Sequence, residues 1–174
     1  KLDPNQVNFG LPEPIDSGDV VINEVLFNPY SGGYDFVEIF NVSNKIVDLK
    51  DIYIANLDDN LLPNQAYNIS ETGYQLFPSD YLVLTENSQD ITNRYQTQNP
   101  EKILELDQMP SFNDDEGNVI IMDKGGPFID HLSYNENMHF EVLDDEEGVS
   151  LERICPDCKT QQNSNWQSAA SSYG

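Results

Sequence analysis

An all-β fold, a sandwich or barrel with one short helix near residues 88–96, is what the sequence predicts, and three observations predict it. Short runs rich in Val, Ile, Phe and Tyr succeed one another from Asp19 onwards. Turn-forming clusters such as "NPYSGG", "NLDDN", "FPSD", "NDDEGN" and "DKGGP" separate them. No helical pattern alternates with them, as one would in a parallel βαβ sheet.

The runs follow in order. Residues 1–18 carry Pro4, Pro12, Pro14, Gly10 and Gly18 without periodicity and read as a linker or extended lead-in. Residues 19–174 then form one domain, with strands expected in "DVVINEVLF", "DFVEIFNV", "KIVDLKDIYIANL", "YLVLT", "KILEL", "NVIIMD", "PFIDHLSY" and "GVSLERI". "SQDITNRYQ" interrupts them with Ser88 as an N-cap, Asp90 in the first turn, and Ile91 and Tyr95 four apart, the spacing of one helix face. At 174 residues a single core suffices, since a chain of this size buries roughly 70% of its unfolded surface.

Charge narrows the function. Asp and Glu number 31 against 8 Lys and Arg, a formal charge of -23. Such a chain repels phosphate backbones and anionic lipids, so nucleic acid is not an expected partner, whereas cations, basic proteins and neutral sugars are compatible with it. No run reaches the 18 apolar residues of a membrane helix, so membrane insertion is not expected either. "KLDPNQVNFG" has no signal-peptide core, and the chain is expected to be a mature product or a segment covalently linked to other domains.

The two cysteines sit in "CPDC", at Cys155 and Cys158, a spacing that fits a local disulfide or thiol pair, a zinc half-site or a redox motif. Zinc requires two further ligands, and the only histidines, His131 and His139, would have to converge here. Redox chemistry requires a strand leading into a helix, whereas Pro156 and the polar "KTQQNSN" describe a loop.

Three charged residues interrupt apolar strand faces. Period-two alternation puts Glu24 in a row with Val20, Ile22 and Leu26, Glu38 with Phe36, Phe40 and Val42, and Arg153 with Val149 and Leu151. Buried charges need partners, and the complementary signs lead to the expectation that Arg153 bridges Glu24, Glu38 or both. Two other chemistries use the same residues. Paired carboxylates on neighbouring strands suit glycoside hydrolysis, and Glu24, Asp35 and Glu38 supply the oxygens calcium takes. Both carboxylates buried against Arg153 would mark a binding module; both lining a concave pocket would mark an enzyme.

The ordered set "VVINEVLFNP", "GGYDFVEIFNVSNKIVDLKDIYI", "YLVLT", "GNVIIMD", "FIDHLSY", "GVSLERI" and "SNWQSAA" resembles a lamin-tail domain of the type found in secreted bacterial proteins. The resemblance runs from about Asp19 to Ala170. It implies an immunoglobulin-like β-sandwich without enzymatic activity, usually one module of a larger secreted or cell-surface protein, and it implies no defined ligand. The expected function is therefore an exported binding or spacer module making weak protein or glycan contacts, with no catalytic residue and no cofactor. The alternatives are a hydrolase using Glu24 and Glu38 and a calcium-dependent glycan-attachment module.

The remaining candidates are weaker. Trp166 falls in the family's closing segment and is expected to plug the sandwich rather than stack on sugar. "NDDEGN" invites an EF-hand comparison, but counting back from Gly117 places Phe112 where the first ligand belongs. Asp114, Asp115 and Glu116 thus remain the loop candidates for calcium.

Overall fold

The computed structural model describes residues 10–95, 97–143 and 145–169. Its elements are β1 (Val20–Leu26), β2 (Phe36–Asn41), β3 (Val47–Asp48), β4 (Ile52–Leu57), β5 (Pro63–Asn68), β6 (Gln75–Leu76), β7 (Tyr81–Thr85), α1 (Ser88–Arg94), β8 (Ile103–Glu105), β9 (Glu116–Asp123), β10 (Phe128–Asn135), β11 (Leu151–Arg153) and β12 (Trp166–Ser168). A six-stranded sheet has the order β12-β11-β1-β2-β7-β8, a four-stranded sheet the order β10-β9-β4-β5, and β3 pairs with β6. β7 and β8 are parallel, which requires a crossover between them. α1 and a 3-10 turn at Pro100–Lys102 occupy that crossover.

Every apolar run named above contains a strand. "KIVDLKDIYIANL" holds two, because Asp48 accepts a hydrogen bond from the Lys50 amide and caps a 3-10 turn at Leu49–Asp51 between β3 and β4. Sequence periodicity passes over β5, β6 and β12. β5, "PNQAYN", is largely exposed and lies at the edge of its sheet, so it has no buried face to print an alternation on the sequence. β6 and β12 are too short to show a period.

The two sheets bury a common core. Val20, Ile22, Val25, Val37, Ile39, Leu82, Leu84 and Leu151 come from the larger sheet, and Ile52, Ile54, Val119, Ile121 and Leu132 from the smaller. A second, smaller cluster lies on the opposite side of the larger sheet, where Ile91 and Tyr95 of the helical segment pack with Leu26, Phe36, Val83 and Ile103. The lead-in lies against this body from Gly10 onwards. The Glu13 amide donates to Ile46 O at 2.9 Å, the Gly18 amide to Ile129 O at 2.8 Å, and Ile15 packs on the core.

The helix begins one residue earlier than its sequence suggests. Asn87, not Ser88, is the cap: its Oδ1 accepts from the Asp90 amide at 2.9 Å, while the Ser88 hydroxyl donates to Glu105 at 2.7 Å. Asn87→Ala will therefore reduce stability by about 1 kcal/mol, read as a lower urea midpoint, and Ser88→Ala will not reproduce the loss of the cap.

A bulge decides which way β1 presents its side chains. Ile22 opposes Ile39 and Glu24 opposes Glu38, so Asn23 is an extra residue in β1. Before it Val20 and Ile22 face the core, and after it Val25 does. Glu24 is thereby turned to the outer side of the larger sheet, together with Leu26.

Candidate functional site on the outer face of the larger sheet

Strand pairing sets one row of side chains across the outer face. Gln167 opposes Glu152, Glu152 opposes Glu24, Glu24 opposes Glu38, Glu38 opposes Val83, and Val83 opposes Ile103. Residues directly opposite share a face, so three carboxylates stand in succession on β11, β1 and β2 and the row ends in apolar side chains. The Ser150 hydroxyl donates to Glu24 Oε1, and Asn23 Nδ2 donates to Glu38 Oε1 at 2.8 Å. The bulged residue thus turns outward and is used as a donor.

These contacts do not neutralise the charge. Burial pushes the Glu24 carboxyl up to about 8; the Ser150 hydrogen bond opposes the rise, and repulsion from Glu38 and Glu152 adds to it. Burial also raises Glu38, against the Asn23 hydrogen bond and with help from Glu152. Among the described residues no lysine or arginine pairs with any of the three.

Glu24 and Glu38 form part of the floor of a groove of about 590 Å³, with Phe36, Val83 and Ile103 beside them. One wall is the segment leading from α1 to β8, and the other includes Ser79–Tyr81. Tyr81 is 40% exposed and stacks on Phe40 with ring centroids 4.1 Å apart. Lys102, the cation on the rim, is held by Asp80 at 3.0 Å.

The expected bridge from Arg153 to Glu24 or Glu38 does not form. Arg153 is on the core side of β11 with Leu151, whereas the bulge at Asn23 sends Glu24 outward, and Phe36, Glu38 and Phe40 belong to the outer face. Arg153 Nε donates to Ile22 O at 2.6 Å and Nη1 to Cys158 O at 3.0 Å. Nη2 donates to Thr160 Oγ1 at 2.6 Å and to Asp130 Oδ2 at 3.2 Å. Asp130 Oδ2 also accepts from the Ile22 amide at 2.7 Å, and Thr160 Oγ1 donates to Asp130 Oδ1 at 2.6 Å. This knot serves the stretch of β1 ahead of its pairing with β11, where Ile22 has side-chain partners in place of a neighbouring strand. Trp166, 4% exposed, lies over the guanidinium at 5.2 Å and donates from Nε1 to Thr160 O at 2.8 Å.

Sequence reasoning missed Asp130 and Glu152. The signal for Asp130 was present: in "FIDHLSY" it alternates with Leu132 and Tyr134, another carboxylate in an apolar row. Glu152 carries no signal of its own, because its meaning depends on β11 pairing beside Glu24.

The other candidates occupy separate places. Cys155 and Cys158 are joined in a disulfide, which leaves no thiolate for zinc. Asn165 brackets this loop, accepting from the Cys155 amide at 2.8 Å and donating to Cys155 O at 3.1 Å. His131 Nε2 lies 2.9 Å from Asn118 Oδ1, and His139 Nδ1 lies 3.0 Å from Ser168 Oγ. Asp114, Asp115 and Glu116 are exposed and spread along the turn into β9. Among the described residues no group of three or more His, Cys, Asp or Glu side chains is placed to hold a metal ion, so the 114–116 turn is not drawn together into a calcium site. Asp35 is remote in direction from Glu38. Its carboxyl is pushed up to about 7 by burial and by the neighbouring Asp114 and Glu86.

Two sheets that bury a common core define a β-sandwich. The lamin tail domain model matches residues 13–136, more than half of the chain. The chain belongs to the lamin tail domain family. Among curated proteins none matches it. The matched segment ends before β11 and β12, which contribute Glu152, Arg153 and Trp166.

Proposed function

We propose that this chain is a non-enzymatic binding module of an exported or cell-surface protein, and that it holds a partner weakly on the outer face of its larger sheet. One observation carries the reading. α1 covers the Leu26 and Phe36 end of that face, while the groove over Glu38, Val83 and Tyr81 is open. The Cys155–Cys158 disulfide supports export, since such bonds persist in oxidising compartments.

A hydrolase is the competing reading, because Glu24 and Glu38 both line a concave site and neither meets Arg153. Glycoside hydrolysis, however, places its two carboxyls on either side of the scissile bond and drives their pKa values apart. Here they rise from adjacent strands of one floor. That geometry suits recognition better than bond cleavage.

The test is retention of the chain on the surface fraction of the cells that produce it. The chain is expected in that fraction with both cysteines oxidised, and Tyr81→Ala is expected to release it, since Tyr81 is a rim side chain whose loss leaves the core intact. Recovery from the cytoplasm with free thiols, or retention unchanged by Tyr81→Ala, would overturn the reading.

A further inference from the structure

The outer face around the groove has two halves of different chemistry lying side by side, with Glu24, Glu38, Val83, Ile103 and Tyr81 lining the groove itself. Toward β11 the row is Glu152, Glu24 and Glu38; toward β8 it is Val83 and Ile103, with the Tyr81–Phe40 aromatic pair alongside. Neighbouring strands are about 4.8 Å apart, so like charges are stacked at a spacing where directly opposed carboxylates destabilise a sheet. Lys102 is held by Asp80, Arg94 by Asp90, and Arg153 by Asp130 at the other face, and no described lysine or arginine pairs with the three carboxylates. The site therefore lacks a counter-charge beside an apolar strip that Ile91 and Tyr95 cover only in part.

We propose that the groove docks an extended basic segment of a partner protein, a lysine ammonium lying over Glu24 and Glu38 and a nearby apolar side chain on Val83 and Ile103. The proposal rests on the reading that this face is the docking face. The two pairs are centred two strand spacings apart, about 9.6 Å, and a lysine and an apolar residue two apart in an extended segment, roughly 6.6 Å, span this with the length of the lysine side chain. A neutral sugar would fill the shape and supply no counter-charge to the row. A charge of -23 also favours encounter with a basic partner over an acidic one.

Binding should be linked to protons. Glu24 faces Glu38 on β2, Glu152 on β11 and the Ser150 hydroxyl. Glu38 faces Asn23 and Tyr81, and the rim adds Asp80, Glu101 and Lys102. An ammonium in this setting favours the ionised carboxyl, so binding near neutral pH will release a proton from Glu24.

The experiment titrates the full chain with an end-blocked peptide repeating Lys-Ser-Val-Ser, which puts lysine and valine on one face of an extended segment, with the same peptide carrying glutamate for lysine, and with a neutral oligosaccharide. Calorimetry in two buffers of different ionisation enthalpy reads affinity and proton release. The lysine peptide alone is expected to bind, and Glu24→Gln with Glu38→Gln is expected to weaken it at least tenfold and abolish proton release. Asp58→Asn with Asp59→Asn, which removes two carboxyl groups from the β4–β5 loop and so at least as much charge, is expected to change affinity less than twofold. Equal weakening by both pairs would mean attraction to bulk charge and would overturn the proposal. So would binding of the oligosaccharide in place of the peptide, or no binding of the peptide by a chain that Tyr81→Ala releases from the cell surface; in those two cases the docking face stands and its basic partner does not. Thermal midpoints of the variants establish that each is folded.

Discussion

Replacing Arg153 with methionine will lower stability by about 3–5 kcal/mol, read as a fall in the urea midpoint with little change in slope. Methionine fits the volume and retains a contact with Trp166, so the loss reports on polar partners rather than on a cavity. It takes a donor from four acceptors at once: Ile22 O, Cys158 O, Thr160 Oγ1 and the Asp130 carboxylate, which is only 11% exposed and keeps the Ile22 amide and the Thr160 hydroxyl but loses its counter-charge. Removing both charges is often neutral for a buried pair when the space is repacked with apolar groups. It will not be neutral here, because Arg153→Met with Asp130→Leu also deprives the Ile22 amide and carbonyl of their partners. The double variant is therefore expected to stay well below the unmodified chain. A midpoint within about 1 kcal/mol of it, the size of an ordinary hydrogen bond, would show that the knot is not what closes this side of β1.

Glu24→Gln will change stability in the opposite direction, and only at higher pH. The Glu24 carboxyl is raised from 4.5 to about 8 in the fold. Between those values the folded state holds a proton that the unfolded chain has released. The contribution of Glu24 is accordingly most favourable below about pH 4.5, declines as pH rises through about 8, and stays at its lower level beyond. Glutamine keeps the shape, can accept from Ser150 and carries no charge to repel Glu38 or Glu152. The variant should match the unmodified chain near pH 4 and exceed it by on the order of 2–4 kcal/mol at pH 9. Urea midpoints at four pH values, taken as the difference between the two proteins, cancel the pH response of the other acidic groups. A difference that does not grow with pH would refute the assignment of the strain to Glu24.

The alternation of "DFVEIFNV" and "YLVLT" placed β2 and β7 in the sequence because each has one face buried in the core, and the family segment added the sandwich. The side on which Glu24 lies was not legible, and Glu38 was assigned to the core because Phe36 and Phe40 flank it, whereas Val37 and Ile39 form the buried row of β2. A single inserted residue, Asn23, reverses every side chain after it, and nothing in "VVINEVLF" distinguishes a bulge from continued alternation. With the phase lost, Arg153 acquired the wrong carboxylates and Asp130 was passed over. The groove was illegible for a further reason: its row is assembled from β11, β1, β2, β7 and β8, and register between strands distant in sequence is a property of the folded sheet alone.

The knot around Ile22 has a bearing on how the chain reaches its fold. Arg153 is 131 residues from Ile22 and Asp130 is 108. β1, the first strand of this domain in chain order, therefore waits for partners that follow it only much later in the chain. Contacts of such span slow folding and are won only after large loops have closed. Until β11 arrives, the free side of β1 is a run of unpaired amides and carbonyls open to another chain. A nascent or truncated chain ending before Leu151 would expose it, so the last segment of the domain acts as a check on completeness: the first strand is protected only when the whole of the sandwich has been made.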